Sequence, residues 1–155
     1  PWIRGGYNYG SGDADSSDRQ HGTFFQAIPT PRVYARFPFF NMMNLDDRFV
    51  ELLLRPSDSM TIRTDVHTLS LASASDLWYL GGGAFESTSF GYAGRPSMGA
   101  TGLATFYDVS VDATLTRRSS LGVYFGTASG HAVPRATYSD GDRASFGYVE
   151  LVVRF

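Results

Sequence analysis

The stretch RFVELLLRPSDSMTIRTDVHTLSL, residues Arg48 to Leu71, alternates apolar and polar side chains on both sides of a short turn. Successive side chains of a strand point to opposite faces, so each half predicts a strand with one apolar face and one charged face. Pro56 and the serines and aspartate after it are turn formers that separate the two halves. The stretch therefore predicts a β-hairpin.

The apolar stripe also constrains how the two strands pair. If the numbers of paired residues sum to 116, Val50 opposes Val66 and residues 57–59 form a three-residue loop. A sum of 114 would instead oppose Glu51 and Arg63, and the pattern leaves that pairing open. A shift of one residue would move every apolar side chain to the opposite face.

Four further segments alternate in the same manner, and with the hairpin they predict six strands. They are Trp2–Tyr9, Leu103–Thr116, the run after the turn residues Arg117, Arg118 and Ser119, and Tyr148–Phe155, which reaches the final residue. In the second hairpin we expect paired numbers that sum to 236, with Val111 opposite Phe125. The long connections at 10–47, 72–102 and 129–143 then lie on one side as loops, and the short turns lie on the other. Residues 1–155 thus form a single antiparallel, up-and-down unit.

Two environments produce strands of this kind. A soluble β-sandwich buries the apolar face, whereas a membrane β-barrel turns it to lipid and turns the charged face to a wet lumen. The sorting of the connections by length favours a transmembrane barrel, because outer-membrane barrels have short periplasmic turns and long external loops. No apolar run approaches the roughly 18 residues of a membrane helix, but barrel strands need only about 9 to 11. The chain opens in strand-like sequence without a signal peptide, as expected of a mature or excised segment.

Composition and charge argue against several function classes. The net charge of -2 predicts no nucleic-acid partner, because phosphate backbones require a basic surface. There is no cysteine, and the histidines lack the spacing of metal ligands, so we expect no metal and no cofactor. Asp13, Asp15 and Asp18 raise the alternative of a calcium site, but without the bidentate glutamate of an EF-hand a solvated loop is preferred. Asp108 and Asp112 are about 13 Å apart along a strand, too far for a glycosidase pair, and we predict no enzyme.

Several short motifs resemble one family. They are Gly6-Tyr7 with the Gly-Asp-rich loop after it, Gly22-Thr23-Phe24, Pro29, the segment from Asn44 to Pro56, Asp76-Leu77-Trp78-Tyr79, Gly91-Tyr92 and Asp108. Spread over nearly the whole chain, they resemble the alginate-export family of outer-membrane β-barrels. The alternation that ends on Phe155 also resembles the signal that such barrels present to their assembly machinery, although Glu150 stands where many signals carry glycine.

The resemblance implies a function and a location. Family members are monomeric barrels of about 18 strands that pass alginate, an anionic uronate polymer, outward across the bacterial outer membrane. Six strands cannot close around a lumen, since the smallest single-chain barrels have about eight. The chain is therefore expected to be the C-terminal part of a larger barrel. Its expected partners are an anionic polysaccharide, outer-membrane lipid and the barrel-assembly machinery.

The charged faces of the strands supply the candidate substrate-binding residues. They are Arg63, Arg4, Arg55, Asp65, His67 and Glu51. Arg63 is the first candidate, because a guanidinium is a planar fork that binds carboxylates. The resemblance implies an arginine-rich lumen, but the predicted face is mixed in charge, so a ladder of ion pairs within the wall is an equal interpretation. A porin for small anionic or other solutes and a soluble β-sandwich binding module remain alternatives.

Overall fold

The computed structural model describes residues 1–15, 17–25, 36–37, 41–80 and 94–155. In chain order its elements are β1 (Trp2–Gly10), β2 (Leu45–Ser57), β3 (Met60–Ser70), β4 (Leu77–Tyr79), β5 (Gly94–Pro96), β6 (Gly102–Thr116), β7 (Ser119–Gly130), α1 (Ala132–Thr137) and β8 (Arg143–Val153). The motif residues Pro29, Gly91 and Tyr92 lie outside the described residues.

One antiparallel sheet contains six of these strands in the order β1-β2-β3-β6-β7-β8. A small two-stranded sheet pairs β4 with β5. The predicted all-β class and the up-and-down order of six strands are therefore confirmed. Within the described part of the chain, β1 and β8 each pair with one neighbour, so the sheet has two open edges.

The first hairpin pairs as predicted. Residues of β2 and β3 oppose each other with numbers that sum to 116, so Val50 faces Val66. The turn is shorter than predicted, because Ser57 pairs with Met60 and only residues 58–59 remain between them. A bulge between Leu54 and Ser57 produces the difference, since a bulge holds extra residues on one strand without a partner.

The register predicted for the second hairpin is wrong by two residues. The paired numbers of β6 and β7 sum to 234, so Val111 opposes Val123 instead of Phe125. The turn is tighter than predicted because Thr116 pairs with Ser119 across an irregularity in the ladder. The hydroxyl of Thr116 also accepts a hydrogen bond from the Arg118 N–H at 3.1 Å, which supports this short turn. A shift of two leaves each side chain on its predicted face.

The last connection and the last strand also differ from the prediction. β7 continues to Gly130 and α1 follows at once, with Val133 fully buried, so the segment at 129–143 is not simply an irregular loop. β8 begins at Arg143, earlier than predicted, because its pairing with β7 extends along most of that strand. It ends at Val153, which leaves Phe155 beyond the strand and exposed.

The two faces of the large sheet have opposite character. We call the face that carries Glu51, Asp65 and Asp108 the inner face, and the opposite one the outer face. Described side chains on the inner face of the central strands are mostly buried or half-buried, and those on the outer face are largely apolar and exposed. Examples of the exposed set are Ile3, Val50, Leu52, Val66, Tyr107, Val109, Phe125, Val149 and Leu151. This is the reverse of a water-soluble sheet, whose exposed face is polar.

Apolar side chains cover the inner face at the end where the long connections meet. The buried cluster contains Phe37, Leu45, Leu69, Leu71, Leu103, Phe106 and Val133. The alternation of the predicted strand Leu103–Thr116 places Leu103 on the same face as Tyr107 and Val109, but a bulge opposite Leu69 and Ser70 leaves it unpaired and buried. A cavity of about 220 Å³ lies beside this cluster. No helix in the described ranges is long and apolar enough to span a membrane.

Candidate functional site

A row of charged residues crosses the inner face from strand to strand. Arg4 of β1 lies opposite Glu51 of β2, Glu51 opposite Asp65 of β3, and Asp65 opposite Asp108 of β6. The row forms because the registers of β1–β2, β2–β3 and β3–β6 align one charged residue from each of the four strands. We refer to Arg4, Glu51, Asp65 and Asp108 as the charged row. It contains three of the predicted candidates.

Glu51 is the point where two arginines meet. Its Oε2 atom lies 3.0 Å from Arg4 Nη2 and 3.4 Å from Arg63 Nε, and the side chain is 3% exposed. The contact with Arg4 is a hydrogen bond, whereas that with Arg63 is a close approach of opposite charges without a hydrogen bond. The other oxygen, Oε1, has no hydrogen-bond partner among the described residues. Both arginine side chains are partly exposed, so their guanidinium groups have access to solvent.

Asp65 and Asp108 place two carboxylates side by side at the β6 end of the row. Asp108 accepts a hydrogen bond from the Tyr124 hydroxyl at 3.0 Å. The Oδ1 atom of Asp65 is buried, and none of the described groups hydrogen-bonds to it. Like charges directly opposite each other on neighbouring strands are destabilising. The row contains three carboxylates, and the described arginines in contact with Glu51 are two, Arg4 and Arg63. Part of the negative charge of the row is therefore not neutralised by them.

His67 belongs to a separate buried network. Its Nδ1 atom lies 2.9 Å from Asp47 Oδ1, and the Asn8 amide donates to the other oxygen of Asp47 at 2.8 Å. The imidazole ring is stacked between Phe49 and Phe106, with centroid distances of 5.2 and 4.3 Å. His67 is only 2% exposed. In this arrangement it holds the wall together, and direct contact with a substrate stays a prediction.

Arg55 is not brought to the charged row. It lies in the bulged end of β2 beside the short turn, four residues beyond Glu51 and exposed. Four residues of strand correspond to about 13 Å. Of the six predicted candidates, the structure therefore brings together four, namely Arg4, Arg63, Glu51 and Asp65. His67 and Arg55 do not belong to this group.

Two residues that sequence reasoning did not assign lie on the inner face near the row. Arg36 and Phe37 come from the long connection between β1 and β2. Arg36 Nη2 is 3.3 Å from Asp112 Oδ2, and the Phe37 ring is stacked on Phe106 with a centroid distance of 5.6 Å. The sequence does not predict these positions, because a connection between strands has no regular alternation of apolar and polar residues. Asp47 was also missed, although the predicted pairing sum already placed it diagonally across from His67.

Asp76 organises the described part of the long connections. Its Oδ2 atom accepts hydrogen bonds from the Asp13 N–H at 2.9 Å and from the Thr23 hydroxyl at 2.5 Å. Its Oδ1 atom accepts one from the Tyr79 hydroxyl at 2.8 Å. Burial raises the pKa of Tyr79 to about 12, so the phenol stays a donor at neutral pH. The motif Asp76-Leu77-Trp78-Tyr79 thus has a structural explanation.

The acidic loop considered for calcium uses its carboxylates on its own backbone. The Oδ1 atoms of Asp13, Asp15 and Asp18 each accept a hydrogen bond from the N–H two residues ahead, at 3.1, 2.9 and 2.7 Å. These local bonds are typical of aspartate in turns. No group of three or more acidic or histidine side chains in the described ranges is arranged to hold a metal ion.

Comparison with known proteins adds no assignment to this geometry. No family model matches the chain, and neither a curated protein nor a solved structure matches it. The sheet and its charged row are therefore the features that bear on function.

Proposed function

We propose that this chain forms part of an outer-membrane β-barrel whose outer face meets lipid and whose inner face lines an aqueous path. The observation that carries the proposal is the distribution of polarity across a single sheet. Buried carboxylates and a buried histidine lie on the inner face, and exposed valines, leucines and aromatic residues lie on the outer face. In a membrane barrel, lipid-facing and lumen-facing residues alternate in this way along every strand.

The extent of the outer apolar surface supports the same proposal. On β6 the outward residues from Tyr107 to Leu115 are all apolar or aromatic, which spans roughly 27 Å along the strand. The apolar band of outer-membrane barrels is about 25 Å tall. Tyr7 and Tyr9 also face outward near the long-connection end of β1, and the Tyr7 hydroxyl donates to Asp46. Aromatic residues with one polar atom are characteristic of a membrane interface.

The open edges support the proposal that other strands complete the barrel. Among the described residues, β1 and β8 each have a strand on one side and an unpaired edge on the other, and in lipid the backbone groups of such an edge must be satisfied. We propose that the chain is the C-terminal part of a monomeric barrel, which the resemblance implies has about 18 strands. On this proposal the barrel-assembly machinery inserts the complete protein into the bacterial outer membrane.

The substrate proposed is an anionic polysaccharide of the alginate type, exported outward. The resemblance to alginate-export barrels suggests it, and the partly exposed guanidinium groups of Arg63 and Arg4 provide carboxylate-binding forks. The described inner face is mixed in charge, which suits weak and repeated contacts with a moving chain. A conducting channel must release its cargo, so no tight site is expected.

A porin for small anionic solutes is the alternative that would use the same inner face. It would differ from a polysaccharide exporter in the largest solute that it admits. The soluble β-sandwich is less well supported, because it requires a second layer on the apolar face. The described elements outside the large sheet, including Trp78 and Val133, pack in the cluster on its inner face.

The proposal is tested on the complete protein in planar lipid bilayers. We expect Arg63→Glu to lower the ratio of anion to cation permeability and to weaken block by added oligouronate. Arg117→Glu is the matched control, because Arg117 lies in a short turn outside the charged row. Unchanged reversal potential and block in Arg63→Glu would leave Arg63 as a wall ion pair. Failure of the unmodified protein to form any channel would contradict the barrel proposal.

A further inference from the structure

Arg36 and Phe37 are part of a connection, yet their side chains lie deep on the inner face. Phe37 is 4% exposed and packs in the cluster around Phe106. Arg36 reaches Asp112, which is ten residues along β6 from the strand's first residue, Gly102. That position is well past the middle of the 15-residue strand. Arg36 therefore extends over the wall toward the side of the short turns, whereas Phe37 packs on Phe106, nearer the long connections.

A glycine of β7, Gly126, leaves space on the inner face for the ring of Phe37. If Gly126 of β7 carried a Cβ atom, that atom would lie 3.0 Å from Phe37 Cδ2 and 2.7 Å from the Tyr124 hydroxyl oxygen. Both distances are shorter than ordinary contacts between a Cβ atom and another heavy atom. The missing side chain lets the ring approach the backbone of the sheet, as glycine in a strand often does. Phe37 is thus fixed between Gly126 and Phe106.

Asp112 holds Arg36 only weakly. The ion pair is only partly buried, with 26% of the Arg36 side chain and 52% of the Asp112 side chain exposed. Partly exposed pairs contribute little to stability, so Arg36 is held mainly through its neighbour Phe37. The exposed part of Arg36 then lies on the same side of the wall as the charged row.

We infer that Arg36 and Phe37 form an inner ledge that narrows the path along the wall and limits the width of what passes. This inference rests on the proposed function, because a ledge limits passage only if the inner face lines a lumen. Phe37 supplies a fixed apolar body, and Arg36 supplies a charged edge directed along the wall. Through this ledge, the connection between β1 and β2 would help to determine the largest solute that passes the channel, in addition to forming part of its entrance.

The first test measures single-channel conductance and the largest neutral polymer that enters the complete barrel. Phe37→Ala removes the ring, so we expect conductance to rise by at least about 1.5-fold and the polymer cut-off to shift upward, because the narrowest section limits a pore. Gly126→Val should act in the same direction by displacing the ring of Phe37. Phe24→Ala is the matched control, since Phe24 belongs to the same connection but is exposed. Insertion of each variant is checked by heat-modifiable migration.

The second test does not depend on changing the packing of the cluster. The chain has no cysteine, so Arg36→Cys introduces a single thiol that a water-soluble thiosulfonate reagent can modify. We expect bulky labels to reduce conductance in steps, whereas labels on Asp58→Cys in the short turn should leave it unchanged. Unaltered conductance in Phe37→Ala and in labelled Arg36→Cys would overturn the inference while leaving the channel in place. Absence of channels from the unmodified protein would instead overturn the proposed function.

Discussion

Asp65 of β3 lies directly opposite Asp108 of β6, and both carboxylates are on the inner face of the sheet. Glu51 lies opposite Asp65 on the other side, so Asp65 has a carboxylate on each neighbouring strand. Three adjacent acidic residues repel one another, and the two arginines beside Glu51 offset only part of that charge. The charged row is therefore maintained against a cost in stability, as is common at functional sites.

Removing the central one of these three carboxylates should stabilise the sheet. Asp65→Asn keeps the shape of the side chain, removes two repulsions and gives Glu51 and Asp108 an amide donor. We expect the free energy of unfolding to rise by about 0.2–1 kcal/mol. Urea unfolding of the complete protein in micelles measures this free energy, with Asp58→Asn in the exposed turn as the control. A clear loss of stability would show that Asp65 has a compensating partner.

The His67 network should separate into a hydrogen-bond contribution and a stacking contribution. His67→Phe preserves a ring between Phe49 and Phe106 but removes a partner of the fully buried Asp47, so we expect a loss of about 1.5–3 kcal/mol. His67→Ala also removes the ring and should cost about 3–5 kcal/mol. The same unfolding experiment measures both variants, with Thr114→Ala as an exposed control. Equal losses would mean that the stack contributes nothing.

The two faces should contact different solvents. We expect spin labels at Val109 to be relaxed by lipid-soluble quenchers and labels at Asp112 by aqueous ones, although the two residues are close together on one strand. The residues expected to face lipid are Val50, Leu52, Ile62, Val66, Val109, Val111, Leu151 and Val153. Glu51 and Asp65 should behave like Asp112. Quenching with the opposite preference would exclude the membrane barrel.

Acid should loosen the junction between α1 and β8. Arg135 Nε donates to Asp142 Oδ2 at 2.6 Å, and this hydrogen bond holds the pKa of Asp142 below its usual value. The pair therefore contributes its full stability above the ordinary aspartate pKa of about 3.9 and loses it as the pH falls through the lowered value. We expect the hydrogen-exchange protection of the Gly130 amide, which donates to the Asp142 carbonyl, to fall in that range.

Two variants check the origin of this pH dependence. Asp142→Asn should already show reduced protection of Gly130 at neutral pH and should lose the dependence on acid. Asp140→Asn, an exposed neighbour, should behave like the unmodified protein. An acid response that persists in Asp142→Asn would assign it to another carboxylate.

The alternation of apolar and polar residues was sufficient to predict the strands and the face on which most of their side chains lie. The six strands, their order and the pairing of Val50 with Val66 follow from two-residue periodicity and the position of a turn. The register of the second hairpin did not, because Val111 can oppose Val123 or Phe125 with the same faces aligned. Turn geometry at Thr116 decides between them, and a single sequence gives little information about a bulge.

The candidate site was predictable to the same extent. Arg4, Glu51 and Asp65 could be placed on one face, but their alignment in one row needs the register between separate hairpins. Arg36 and Phe37 could not be placed at all, since nothing in a connection specifies the direction in which it folds. Tertiary packing against Phe106 and Gly126 determines their position.

The up-and-down order has a consequence for how such a wall can change in size. Because each hairpin begins and ends on the side of the long connections, a whole hairpin can be duplicated or lost without reversing the direction of any later strand. A single strand cannot, since all that follow it would run the wrong way and present valines to water. The number of strands in this architecture is therefore expected to change in steps of two during evolution, while the connections vary in length independently.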